Sequence, residues 1–142
     1  MINRTLLLVE DNPQDEALTL RALRKANVHM PIDVVRDGQQ AIDYLFRTGE
    51  YSDRSESLPA VVLLDINLPK LSGLDVLTRL RAHPQTRVLP VVMFTSSDED
   101  GDRIRSYSTG ANSFVCKPLE FAEFMNSVGK LGTYWLNINI PP

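Results

Sequence analysis

Short apolar runs alternate with longer stretches in which apolar residues recur at helical spacing. Thr5–Val9 reads TLLLV, the unbroken apolar run of a strand covered on both faces. Leu18, Ala22 and Ala26 fall at i, i+4 and i+8, predicting a first helix with Pro13 at its start, where a missing N–H does no harm. Ile32–Val35 reads as a second strand, and Ala41, Ile42, Leu45 and Phe46 as one face of a helix ending near Gly49. Tyr51–Ser57 is polar and aperiodic, hence an exposed loop. Ala60–Leu64 (AVVLL) is the most apolar run and is expected at the centre of a sheet. Ser72 is placed to cap a third helix carrying Leu74, Leu77 and Leu80. Val91–Phe94 is a fourth strand, followed by a capping region at Ser96-Ser97-Asp98. Gly101–Thr109 predicts a polar helix, with Ile104 and Tyr107 on its apolar stripe, that is loosely held and easily moved. Ser113–Cys116 is a fifth strand. Phe121, Phe124, Met125, Val128, Leu131 and Trp135 mark a long final helix.

Five βα units predict an α/β fold: a doubly wound, five-stranded parallel sheet in the flavodoxin-like order 2-1-3-4-5. Residues 1–130 form the domain, and 131–142 extend its last helix into a C-terminal tail. No repeat, linker or second domain is expected. Composition supports a soluble globular chain: 142 residues, 43% hydrophobic and 23% charged. A net charge of −3 argues against a broad nucleic-acid surface. No run approaches the roughly 18 apolar residues of a membrane helix, and Met1-Ile2-Asn3-Arg4 leads into too short an apolar stretch for a secretory leader. A lone cysteine, Cys116, excludes an internal disulfide and reads as a small buried hydrophobe. The cytoplasm is the expected compartment, without membrane or direct nucleic-acid contact.

In a doubly wound sheet, chemistry sits outside the carboxyl ends of the strands, near the reversal of strand order. The first strand closes on Glu10-Asp11, the third on Asp65, and the fifth on Lys117-Pro118. Strands one and three are neighbours in the expected order, so three carboxylates converge. Such crowding needs a compensating cation, and an all-oxygen set suits a hard divalent ion, Mg²⁺ or Mn²⁺. Lys117 adds a point charge suited to phosphate, and Thr95, ending the fourth strand, adds a hydroxyl donor. A carboxylate nucleophile, a divalent ion and a lysine together suit phosphoryl transfer, where positioning and charge neutralisation dominate. The chain has no G-x-x-x-x-G-K-[ST] cradle, so the donor is expected to be another protein or a small phosphodonor.

Val9-Glu10-Asp11-Asn12, Leu64-Asp65-Ile66-Asn67-Leu68-Pro69 followed by Gly73, Phe94-Thr95-Ser96 and Cys116-Lys117-Pro118 resemble the receiver domains of two-component response regulators, over essentially residues 5–130. The resemblance implies that Asp65 accepts the phosphoryl group and that Asp11 ligates Mg²⁺, with Glu10 acting through water. It implies that Asn67 offers its backbone carbonyl to the metal, Thr95 is the switch hydroxyl, and Lys117 contacts the phosphate. Phe114 stands at the position of the switch aromatic, and a cis Lys117–Pro118 bond is expected. Tyr44–Tyr51 with the loop after it, Asp65–Pro69 and Tyr134-Trp135-Leu136…Pro141 are similar to single-domain receivers encoded with phytochrome-type photoreceptor kinases. That similarity implies a light-sensing histidine kinase as partner.

An aspartate-nucleophile phosphatase of the haloacid-dehalogenase type needs a second Asp two residues after the nucleophile, where Asn67 stands. A flavin carrier would be repelled by Glu10-Asp11. A receiver fold that serves only for docking or dimerisation is the alternative function. His29 and His83 have no ligand partners in sequence, and Arg79, Arg81 and Arg87 read as a solvated face. In the tail, Trp135, Ile138 and Ile140 would be unfavourable if exposed. Either they fold back, with Ile138 and Ile140 in a short edge strand, or they pack against a second copy. A homodimer is the expectation.

Overall fold

The computed structural model describes residues 5–55 and 57–142; Met1–Arg4, and Glu56 of the expected loop, lie outside the described residues. Five strands form one parallel sheet in the order β2-β1-β3-β4-β5: β1 Leu6–Val9, β2 Ile32–Val35, β3 Val61–Leu64, β4 Val91–Thr95 and β5 Ser113–Cys116. The expected order is the observed one. In register, Val9 lies opposite Val35 on one side and Leu64 on the other, so β1 and β3 end level with each other.

Both faces of the sheet are covered, which explains the unbroken apolar runs. Leu7, Val9, Val62, Leu64 and Met93 face helices α2 (Gly38–Phe46) and α3 (Gly73–Ala82), while Leu6, Leu8, Val61, Leu63 and Phe94 face α1 (Pro13–Lys25) and α5 (Phe121–Thr133). Burying each such side chain contributes on the order of 1.5–3 kcal/mol before chain entropy is counted. The helix starts are set locally. Pro13 opens α1 behind an Asn12 cap, and Ser72 with Asp75 forms a reciprocal capping box on α3. On the α1–α5 side, Gly132 lets the helices approach: a Cβ there would lie 2.3 Å from Leu23 Cδ2.

Several expectations are corrected by packing. In α4 (Asp100–Thr109), Ile104 and Tyr107 are exposed, and the buried residues are Asp102 and Ser106. Polar bonds replace the expected apolar stripe: Ser97 Oγ donates to Asp102 Oδ2 at 2.5 Å, and Arg105 pairs with the same carboxylate. Arg81 is not part of a solvated face. It is half-buried and donates to the carbonyls of Gly110 and Arg87, at 2.9 and 3.0 Å, and to Asn112 Oδ1 at 3.1 Å. Cys116 is exposed because β5 is an edge strand. The Lys117–Pro118 bond is trans. Helix α2 stops at Phe46, and Gly49–Tyr51 makes a 3₁₀ turn that leads into the expected loop.

The tail forms no edge strand. Residues Tyr134–Ile138 make a π-helical turn closed by Asn139 N donating to Tyr134 O at 2.6 Å. The turn buries Leu136 completely and packs Trp135 against the α1–α5 core, while Ile138 and Ile140 stay 63% and 80% exposed.

Gly73 positions the end of β3: its N–H donates to Ile66 O at 2.8 Å, and a Cβ would stand 2.0 Å from the backbone oxygen of Asp65. Backbone cannot yield as a flexible side chain can. Gly73→Ala is therefore expected to lower the unfolding free energy by about 1–3 kcal/mol in urea denaturation; an unchanged midpoint would show that the β3–α3 turn relaxes freely.

Candidate functional site

Each strand end delivers its side chain through a continuation of the sheet. Glu10 N donates to Val35 O at 3.0 Å and Asp65 N to Val9 O at 3.3 Å, so both residues sit one step past β1 and β3 with their backbones still paired. Lys117 follows β5 in the same way, donating its N–H to Thr95 O at 2.7 Å. Glu10, Asp65, Thr95 and Lys117 are all buried, whereas Asp11 and Asn67 are exposed at the mouth. The structure thus brings together Glu10, Asp11, Asp65 and Lys117 from three strands.

One carboxylate oxygen from each of Glu10, Asp11 and Asp65 lies within 4.8 Å of the others. That is an all-oxygen donor set of the size a hard divalent cation fills, with water completing the shell. Asn67 stands beside it, its N–H donating to Asp65 Oδ1 at 3.3 Å. Opposite, the Lys117 ammonium donates to Glu10 Oε2 at 2.6 Å, Asp65 Oδ2 at 2.9 Å and Asp15 Oδ2 at 3.0 Å. Burial pushes the Glu10 carboxyl up from 4.5 to about 7, outweighing the pull of Lys117. Burial alone would lower Lys117, but hydrogen bonds and charge from Glu10 and Asp65 hold its ammonium above the ordinary lysine value.

Thr95 is fully buried, and its Oγ1 accepts the Ser97 N–H at 3.2 Å. Phe114 lies half-buried on β5 against the α2–α3 core. Trp135, Ile138 and Ile140 belong to the α5 end of the molecule and take no part in this cluster. Asp15 was not anticipated from the sequence. It stands one helical turn after Asp11, and the Asn12 cap, accepting from Gln14 N and Asp15 N at 2.9 and 3.1 Å, starts α1 early enough to aim it inward. An acidic residue at i+4 from Asp11 was the available signal.

A carboxylate at the end of a central parallel strand, with an acidic cluster on one side and a lysine on the other, defines a phosphoryl-accepting class of doubly wound domain. The chain belongs to the response regulator receiver domain family, whose model matches residues 6–129. Three relatives place it more finely. The phosphorylated cyanobacterial phytochrome response regulator RcpA has a TM-score of 0.91, 33% identity and coverage of 99% of both chains. Response regulator Rcp1 of Synechocystis sp. is 32% identical over 133 residues, 94% of this chain and 89% of Rcp1. Its Mn²⁺-bound form has a TM-score of 0.91 and covers 98% of this chain and 99% of that one. The bacteriophytochrome response regulator RtBRR is 47% identical, with a TM-score of 0.80 and coverage of 100% of this chain and 85% of that one. The chain is a receiver domain homologous to response regulators of phytochrome signalling.

Because the folded Glu10 carboxyl titrates near 7 rather than 4.5, its contribution to stability is full below pH 4.5 and is lost as pH rises through 7. In chelator, the melting temperature should fall between about pH 5 and 8, by the equivalent of at most about 3 kcal/mol. Glu10→Gln should flatten that dependence; an identical slope in the variant would remove Glu10 as its source.

Proposed function

We propose that this receiver takes a phosphoryl group from a sensor histidine kinase onto Asp65. The observation that carries the reading is Asp65 itself: 6% exposed at the end of β3, 2.9 Å from the Lys117 ammonium, and clustered with Glu10 and Asp11. An Asp65 carboxylate oxygen forms the new bond to phosphorus as the P–N bond to the donor imidazole breaks. The bonding pair stays on that nitrogen, which takes up a proton. Asp11, Asp65 and the Asn67 carbonyl are the residues to hold Mg²⁺ (or Mn²⁺), with Glu10 acting through water. The cation's contribution is to neutralise charge on the phosphoryl oxygens. Lys117 supplies a fixed positive partner on the opposite side.

The switch follows from two bonds already present. Thr95 Oγ1 turning toward the phosphoryl group releases the Ser97 N–H, and Ser97 is tied through its hydroxyl to Asp102 of α4. Phe114 moves inward into the space that Thr95 leaves, and the α4 face is rebuilt for a partner. The kinase is of the phytochrome type, supported by the similarity to RcpA and RtBRR. The described residues contain no helix long and apolar enough to cross a membrane, and the net charge is −3. We place the protein in the cytoplasm, acting without direct membrane or nucleic-acid contact.

Intact-mass analysis after incubation with acetyl phosphate and Mg²⁺ tests the phosphoacceptor. One phosphate is expected on the wild type, and none on Asp65→Asn or in chelator. No adduct from acetyl phosphate or from a phytochrome-type kinase would leave the docking-module reading in its place.

The tail supports a homodimer. Ile138 lines an α1–α5 groove of ≈ 650 Å³, floored by Ala22, Ala26, Met125 and Gly129, Ile140 is exposed two residues further on, and a second copy's tail would cover both. Sedimentation equilibrium at micromolar concentration should show a dimer that Ile138→Ser/Ile140→Ser weakens. A monomeric wild type overturns this assembly.

A further inference from the structure

The geometry points to Asp15 as a positioning residue that tethers the Lys117 ammonium from the α1 side, and so sets how strongly the site engages an incoming phosphoryl group. The inference rests on the phosphoacceptor reading of Asp65 and adds a residue to that site.

A lysine ammonium has three N–H donors. All three are engaged here, by Glu10 at 2.6 Å, Asp65 at 2.9 Å and Asp15 at 3.0 Å. A phosphoryl oxygen can therefore bind Lys117 only by displacing a carboxylate. The three are not equivalent. Glu10 is 1% exposed, makes the shortest contact, and has its other oxygen held by Asn12 N at 3.2 Å. The Asp65 contact is lost or redirected by the reaction itself, because esterification removes that carboxylate's charge. Asp15 keeps its charge throughout. Its side chain is 26% exposed, so water can replace the ammonium when Lys117 leaves.

Asp15 cannot follow the lysine. Its N–H is fixed to Asn12 Oδ1 at 3.1 Å in the first turn of α1, and that helix is packed along α5. The trio that lies within 4.8 Å is Glu10, Asp11 and Asp65, so Asp15 acts on the ammonium rather than within the cation set. Two effects follow at the mouth of the site. Asp15 competes with the phosphoryl dianion for Lys117, and its own charge repels the donor before transfer.

With acetyl phosphate, an Asp65 oxygen forms the P–O bond while the bond from phosphorus to the acetyl oxygen breaks and acetate leaves with the electron pair. The charge is the same on both sides, and Asp15 is not consumed. Its influence is read in the approach of the donor, as a change in apparent KM.

Initial phosphorylation rates of the full chain, measured against acetyl phosphate concentration with Mg²⁺, test the tether in wild type, Asp15→Asn and Asp15→Glu. Asp15→Asn should lower the apparent KM about fivefold, the size of one partly exposed ion pair, while Asp15→Glu keeps it near the wild-type value. Asp15 also lies in the first turn of a helix, where any acidic residue is favourable. A merely structural role would instead lower the melting temperature of Asp15→Asn and leave the KM unchanged, and that result overturns the proposal. If no donor phosphorylates the wild type, the reading of Asp65 fails on its own. The tether is then judged by the ¹⁵N signal of the Lys117 ammonium, which should shift in Asp15→Asn; an unmoved signal overturns it as well.

Discussion

One ammonium group holds the carboxyl edge of this sheet together. Glu10 and Asp65 are buried side by side because β1 and β3 end level, and two carboxylates in that position repel each other. Lys117, carried in by β5 from the far edge, bonds to both. Removing a buried ion-pair partner typically costs about 3–5 kcal/mol, since the remaining charges stay desolvated. That pairing ties the ends of β1, β3 and β5 to one another. Burial, only partly offset by that pairing, pushes the Glu10 carboxyl up to about 7.

The same arrangement explains why the pocket suits transfer without a nucleotide site. Carboxylates crowd the side of Glu10, Asp11 and Asp65 while a fixed ammonium stands at Lys117, a charge arrangement suited to a divalent cation and a phosphoryl group. Burial makes each contact stronger than it would be in water. Asp11 and Asn67 are exposed and open the cluster to solvent. From Thr95 the path outward is polar: its hydroxyl holds Ser97, and Ser97 holds Asp102 under α4. A helix held by hydrogen bonds rather than by apolar burial can shift when one bond changes partner, because little core has to be remade.

The opposite end of the molecule follows different physics. There α1 and α5 meet over small residues, and Leu136 seals the seam while Ile138 and Ile140 remain outside. The carboxylate cluster lies at the carboxyl ends of the strands and the apolar tail beside the α1–α5 seam, where α5 packs on α1.

Much of this was readable in the chain. Unbroken runs such as LLLV and VVLL announce strands covered on both faces, helical spacing places the cover, and Glu10-Asp11, Asp65, Thr95 and Lys117 each fall at a strand end. These signals are local, and a parallel order of five βα units then leaves few ways to combine them. What required the tertiary structure was partnership. Arg81 looked solvated until the loop carbonyls of Gly110 and Arg87 closed around it, and Cys116 looked buried until β5 proved to be an edge. Ile104 and Tyr107 matched an apolar stripe, yet Asp102 took the inner face because Ser97 and Arg105 were there to satisfy it. Asp15 is the sharpest case. Its place in the sequence marks only the first turn of a helix, and its bond to Lys117, across 102 residues of chain, exists because the fold brings α1 and the end of β5 to the same pocket.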